Sequence, residues 1–112
     1  MPKATHIYIQ HIIFCIDAIL SYTAGMKEKD FMENKLVQDA VLRNLEVIGE
    51  ASKQVPPGYR NAHAAIPWRK MAGMRDKLIH QYMGVDLIAV WVVVETILPS
   101  LKSALVQLTD SP

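Results

Sequence analysis

The sequence predicts an all-α protein, a single domain over residues 1–112 built as a bundle of four or five helices. Apolar residues recur at the three- and four-residue spacing of amphipathic helices, and no segment has the pattern of a paired strand. A chain of 112 residues is long enough for one domain with a core of its own. A composition that is 51% apolar and 21% charged is typical of a folded globular protein.

Two long helices are predicted in the first half of the chain. The first covers about residues 6–23, and its apolar stripe comprises Ile9, Ile12, Ile13, Ile16, Ile19 and Leu20. Gly25 is a stop signal, and residues 26–31 are expected to form a connection or a short helical turn. The second helix covers about residues 34–54, with Val37, Val41, Leu45, Ile48 and Val55 on its apolar face. Pro56-Pro57-Gly58 should end this helix and begin a loop that continues to about residue 65.

In the second half of the chain, the sequence predicts two more helices and a short final segment. A third helix is expected over about residues 68–81, with Pro67 placed for its first turn and Gly84 breaking it. Asp86 can cap a fourth helix. Its run of three valines at residues 92–94 favours strand, but a lone strand has no partner, so helix is the prediction. Pro99 is expected to kink or restart the helix before residues 101–108.

Three bulk properties limit the classes of function: the net charge, the cysteine content and the length of the apolar runs. A formal net charge of +1 does not indicate a non-specific nucleic-acid binder, so any RNA site must be local. The slightly positive mean hydropathy is compatible with apolar surface kept for a partner or second copy, or with a well-filled core.

Cys15 is the single cysteine and should be a buried apolar residue. The polar start argues against a signal peptide, and the apolar run at residues 85–94 is too short to span a bilayer. We therefore expect a cytoplasmic protein with no membrane partner.

The residues richest in chemistry lie together in Arg75-Asp76-Lys77-Leu78-Ile79-His80-Gln81-Tyr82. An imidazole can move protons to and from ribose oxygens, and a guanidinium can hold a phosphate. On a regular helix, however, Arg75 and His80 would point about 140° apart. They can act together if the helix loosens near Gly84, if long side chains converge, or if the site is shared by two subunits. The remaining interpretation is a solvated helix face with one satisfied histidine.

Two longer segments resemble the signatures of the HepT-like HEPN ribonuclease family. They are residues 66–82, Ile-Pro-Trp-Arg-Lys-Met-Ala-Gly-Met-Arg-Asp-Lys-Leu-Ile-His-Gln-Tyr, and residues 40–51, Ala-Val-Leu-Arg-Asn-Leu-Glu-Val-Ile-Gly-Glu-Ala. Val85-Asp86-Leu87, Trp91 and Leu98-Pro99-Ser100-Leu101 fit the same family, so the similarity covers nearly the whole chain. The resemblance implies a dimeric HEPN bundle that cleaves RNA without a metal or other cofactor. It also implies a toxin of a toxin–antitoxin pair, neutralised by a minimal nucleotidyltransferase.

The resemblance assigns roles to four residues of this chain. Arg75 and His80 are the Arg-x4-His catalytic pair, and Asp76 fills the supporting polar position after the arginine. Tyr82 is the tyrosine to which the nucleotidyltransferase adds AMP. DNA lacks the 2′-hydroxyl that such a site uses and should not be a substrate. The alternative function is a non-catalytic HEPN interaction module that binds the nucleotidyltransferase through this same surface.

Several other residues keep two interpretations. Asn44 and Glu50 form helix-face hydrogen bonds or have a supporting role beside the active cleft, while Gly49 is expected to permit close helix packing. The basic residues Arg60, Arg69, Lys70 and Lys77 carry the RNA backbone or are simply solvated. Trp68 and Trp91 are expected to be core or interface anchors. His6 and His11 lack companion ligands at metal-binding spacing, and we expect no metal site.

Overall fold

The structure is a computed structural model that describes residues 3–74, 79–80 and 84–110. Within these ranges it is an all-α bundle, as predicted, with one very short pair of strands. The elements are α1 (Lys3–Tyr22), α2 (Glu28–Met32), α3 (Lys35–Gln54), α4 (Pro57–Ala62), α5 (Trp68–Ala72), β1 (Ile79–His80), β2 (Gly84–Val85), α6 (Leu87–Val92), a π-helical segment (Val93–Ile97) and α7 (Leu98–Asp110).

The core is formed where α1 packs on α3 and α7. Each helix contributes side chains at three- and four-residue intervals, so one stripe of each faces the others. The contributing residues, all nearly or fully buried, are Ile9, Ile12, Ile16 and Ile19 of α1, Val41, Leu45 and Ile48 of α3, and Leu98, Leu101 and Leu105 of α7. The predicted apolar faces of the first two helices are therefore confirmed, and Cys15 is buried among them.

Two helix starts are fixed by side-chain caps. The Asn34 side chain accepts a hydrogen bond from the backbone N–H of Val37 at 3.0 Å. Asp86 Oδ1 accepts one from the backbone N–H of Ala89, also at 3.0 Å, so the predicted cap is confirmed. Each bond satisfies an N–H that has no partner within the first helical turn.

The short helix α2 is attached to the bundle by an aromatic ring and an amide. Phe31 is fully buried, and its ring centroid lies 5.4 Å from that of Trp91. Gln38 is a polar residue of α3, yet it is buried. Its Nε2 donates to the carbonyls of Phe31 at 2.9 Å and Met32 at 3.1 Å, so the burial of this amide is compensated by the end of α2.

The loop predicted after Pro56 is wrong in part, because α4 begins immediately at Pro57. Proline has no N–H to lose in the first helical position, and its fixed φ suits a helix start. The same prolines that end α3 therefore begin the next helix.

The chain remains helical through Pro99 instead of restarting after it. The π-helical segment Val93–Ile97 precedes the proline, and the N–H of Leu98 donates to the carbonyl of Val93, five residues back. A π-bulge alters the hydrogen-bond register next to a residue that cannot donate, so no break is needed.

Continuation through Pro99 makes this helical stretch longer than the apolar run at residues 85–94. Two helical stretches, Lys3–Tyr22 and Leu87–Thr109, are long and apolar enough to cross a membrane by length and composition. This is weak evidence, because core helices pass the same test, and both stretches contribute buried residues such as Ile16 and Leu105.

The third predicted helix, over residues 68–81, is wrong at residues 79–80. Helix α5 ends at Ala72, and Ile79 and His80 pair in antiparallel fashion with Val85 and Gly84. Two physical causes favour the pairing. Ile79 and Val85, both β-branched, lie opposite each other, and Gly84 has φ +84°, which other residues rarely adopt.

Candidate active site

The predicted catalytic segment lies between α5 and α6. Arg75, Asp76 and Tyr82 fall outside the described residues, so their assignments stay predictions. For His80 the structure describes the backbone only, which is extended and opposite Gly84. The regular helix that would separate Arg75 and His80 by about 140° is therefore absent at the histidine. Of the alternatives left open by the sequence, this backbone favours a chain that leaves the helix before Gly84.

The two flanks of this segment are anchored in the core. On one side, Met71 and Met74 are almost fully buried, at 1% and 7% exposure. On the other side, β2 leads directly into the capped start of α6, where Val90 and Trp91 are buried. The described residues on both sides of the Arg-x4-His motif are thus part of the packed core.

A glycine brings α3 close to the end of α5. A Cβ atom built on Gly49 would lie 3.3 Å from the carbonyl oxygen of Ala72 and 3.4 Å from that of Met71. The backbone of α3 therefore touches the last turn of α5, which confirms the close packing predicted at Gly49. In the sequence, this contact lies three residues before Arg75.

Asn44 and Glu50 lie on the same helix as Gly49. Asn44 Nδ2 donates to the carbonyl of Ala40 at 2.9 Å, one turn back on its own helix. Glu50 is exposed, and its carboxylate lies 3.5 Å from Lys53 Nζ. These contacts fit the helix-face interpretation, while support of the cleft stays a prediction.

The region before the motif contains one buried and two partly buried rings, those of Trp68, Tyr59 and His63. Trp68 is 5% exposed, and its Nε1 donates to the carbonyl of His63 at 3.0 Å. The Tyr59 ring lies 4.4 Å from the His63 ring and 6.3 Å from that of Trp68, measured between centroids. Burial raises the pKa of the Tyr59 phenol. Trp68 and Trp91 are core anchors, as predicted, because both are buried.

Beside these aromatics the structure has a pocket that sequence reasoning did not predict. It has a volume of about 530 Å³, and its lining includes Arg60, Arg69 and Lys70. These basic residues were singled out individually, but their convergence depends on α4, which replaced the predicted loop. Lys77, the fourth basic candidate, lies outside the described residues.

The possible metal ligands and the cysteine thiol can be located in the part of the chain that is described. No three of its His, Cys, Asp and Glu residues are grouped so that they could hold a metal ion. Burial raises the pKa of the Cys15 thiol, against an opposing influence of Arg43. A buried thiol with a raised pKa is a poor nucleophile, so Cys15 acts as a core residue.

Comparison with known proteins identifies the family. The family model described as ribonuclease HepT-like matches residues 12–108. The chain is 45% identical over 102 residues to "Probable ribonuclease HepT" of Thermococcus cleftensis, covering 91% of this chain and 93% of that protein. It is 36% identical over 100 residues to a "Putative RNase" of Caldanaerobacter subterraneus, covering 89% of each.

A longer relative also matches. "Gamma-glutamylcyclotransferase and putative RNase" of Methanocaldococcus jannaschii is 43% identical over 110 residues, which is 98% of this chain. The chain spans half the length of that relative. No solved structure gives a significant match. The family match covers most of the chain and includes both signature segments, and relatives named as ribonucleases support a nuclease activity. The chain therefore belongs to the HepT-like ribonuclease family.

Proposed function

We propose that this protein is a metal-independent endoribonuclease that acts as the toxin of a toxin–antitoxin pair. The observation that carries the proposal is the family match over residues 12–108, which contains the complete Arg75-x4-His80 motif and Tyr82. The extended backbone at His80 adds support, because it removes the helical geometry that separates the two catalytic side chains.

The proposed reaction uses the ribose as its own nucleophile. The 2′-oxygen bonds to the adjacent phosphorus, and the bond from phosphorus to the 5′-oxygen breaks. His80 moves the proton between these oxygens, while Arg75 stabilises the charge that develops on the phosphate. Asp76 orients a neighbouring group or tunes the histidine. The products are a cyclic phosphate, which water can open to a 3′-phosphate, and a 5′-hydroxyl.

A shared cleft in a homodimer would bring two such motifs together. The support for a dimer is apolar surface on α6, where Ile88 and Val92 are 64% and 47% exposed and lie four residues apart on one face. Covering this stripe with a second copy would remove it from water. We place the protein in the cytoplasm, where an RNA substrate is present.

The decisive experiment is RNA digestion in the presence of a metal chelator. The wild type should release fragments with 5′-hydroxyl ends, and His80→Ala should not. His11→Ala is the matched control, because it removes an exposed histidine of α1 and should cleave like the wild type. A wild type that cleaves no RNA, but binds its nucleotidyltransferase, would instead support the non-catalytic interaction module.

Neutralisation is proposed to occur at Tyr82. A partner nucleotidyltransferase would join the phenol oxygen to the α-phosphorus of ATP and release pyrophosphate. The added AMP brings a negative phosphate and a bulky base to the catalytic segment, where it repels the RNA backbone. Mass spectrometry after co-expression should place an AMP adduct on Tyr82 and none on the Tyr82→Phe variant. An adduct found only on another residue would refute this assignment.

A further inference from the structure

We propose that the pocket between α4 and α5 is a phosphate-binding subsite for the RNA strand, outside the Arg75 and His80 motif. This inference rests on the proposed ribonuclease function and adds the place where the substrate backbone is held. We call this feature the α4–α5 pocket, defined by Arg60, Asn61, Ile66, Trp68, Arg69 and Lys70.

The charge of the α4–α5 pocket is one-sided. Arg60, Arg69 and Lys70 contribute three positive charges, and no carboxylate is among the lining residues. The chain as a whole carries a net charge of only +1, so this local excess does not follow from a generally basic surface. Three cations facing one concavity repel each other, and an anion would relieve that repulsion.

None of these three cationic side chains forms an ion pair within the described part of the protein. The ion pairs found there join Lys35 to Asp39, Lys53 to Glu50 and Lys102 to Asp17. Arg60 Nε is buried and has no hydrogen-bond partner among the described residues. A buried donor without an acceptor is uncommon in native proteins, and a small shift of the Arg60 side chain would let an oxygen of a bound anion accept from it. A phosphate offers oxygens that suit a guanidinium fork.

The shape of the pocket is preformed. Its inner wall includes Ile66 and Trp68, at 6% and 5% exposure, and the indole hydrogen bond to the His63 carbonyl fixes that wall to the end of α4. A volume of about 530 Å³ is within the range of about 300–1,000 Å³ that holds ordered ligands. Because Trp68 is buried, it serves as a wall and offers no open face for stacking.

The pocket is close enough to the predicted catalytic motif for one RNA strand to contact both. Lys70 and Arg75 are five residues apart, so their Cα atoms are separated by at most ~18 Å. A single strand held by its phosphates at Arg69 and Lys70 can therefore continue to Arg75 within a few nucleotides. An RNA strand is favoured over an acidic protein because phosphates recur along it and the pocket adjoins the predicted catalytic residues.

The test measures binding separately from cleavage. A fluorescent 12-nucleotide RNA with 2′-O-methyl groups cannot be cut by attack of the 2′-oxygen, and its affinity is measured by anisotropy at several salt concentrations. The slope of log affinity against log salt is negative, and each lost phosphate contact should reduce its magnitude by about 0.7 for a single strand. The triple variant R60Q/R69Q/K70Q should therefore lose about two units of slope, or about 100-fold in affinity at 0.1 M salt.

A matched triple variant controls for general charge. K3Q/K29Q/K35Q removes three exposed lysines from α1, α2 and α3 and should bind RNA as the wild type does. Since Arg60 is partly buried, the double variant R69Q/K70Q provides a second test on exposed residues, with an expected loss of about 25-fold. Thermal unfolding of every variant verifies that it is folded.

Three results would overturn the inference. These are unchanged RNA affinity in both pocket variants, an equal loss in the control triple, or a loss of nucleotidyltransferase binding with RNA affinity intact. The last result would assign the pocket to a protein partner. A wild type that binds the 2′-O-methyl RNA through the pocket but cleaves no natural RNA would refute the proposed function and leave the subsite standing.

Discussion

Replacing Gly49 by alanine tests the close contact between α3 and the last turn of α5. The new methyl would lie 3.3 Å from the carbonyl oxygen of Ala72 and 3.4 Å from that of Met71. Both oxygens belong to the backbone, which cannot turn aside as the end of a flexible side chain can. Met71 is 1% exposed, so a shift of α5 would also loosen the core. We therefore expect crowding that α5 cannot relieve freely.

Two opposing effects set the size of the change. Alanine favours a helix over glycine by about 1 kcal/mol, whereas overpacking of a filled interior costs about 1–3 kcal/mol. With a mid-range cost of about 2 kcal/mol, Gly49→Ala should lower the free energy of unfolding by about 1 kcal/mol. That corresponds to a fall in Tm of about 4 °C for a chain of this length.

Gly58→Ala is the matched control, because it makes the same chemical change in α4. A Cβ on Gly58 meets nothing within 4 Å, so only the helix preference changes. This variant should gain about 0.5–1 kcal/mol. The assay is urea unfolding followed by circular dichroism at fixed temperature. If Gly49→Ala were stabilised as much as Gly58→Ala, the proposed contact between α3 and the end of α5 would be refuted.

Three further predictions each depend on one feature of the structure. Gly84→Ala places a side chain at φ +84° and should destabilise the protein by about 1–2 kcal/mol, with a smaller loss in Gly84→Asn, measured by urea unfolding. Asn34→Ala removes the cap of α3 and should cost about 1 kcal/mol in the same assay, whereas Asn34→Asp should stay near the wild type. Cys15 should react with a thiol reagent far more slowly in the native protein than in denaturant, because burial raises its pKa and the thiolate is the reactive form. Equal rates in the two conditions would contradict its burial.

The predicted catalytic motif shows what a local sequence pattern can and cannot predict. Arg75 and His80 were identified from their residue types and from the resemblance of the surrounding segment. The spacing argument, however, assumed a helix that continues to residue 81, and the structure pairs Ile79 and His80 with β2 instead. Helical periodicity near a chain reversal is weak information, because two or three residues can adopt either backbone at little cost.

The α4–α5 pocket, in contrast, could not be predicted from a local sequence pattern. Arg60, Arg69 and Lys70 are ten residues apart at most in sequence, yet nothing in their spacing indicates a concavity. They meet because α4 forms directly after Pro56, and because the Trp68 indole holds the intervening turn against it. Those are contacts between elements, which a pattern within one element does not contain.

Local sequence was sufficient for the fold class, the stripes of α1 and α3, and the cap at Asp86. Each of these depends on residues within one or two helical turns, so local spacing and side-chain chemistry are sufficient. The tertiary structure alone decided how α3 touches the last turn of α5 at Gly49, how Gln38 closes the end of α2, and where three cations converge. These features depend on residues that are brought together by burial of the core, and their distances are set only when the helices pack.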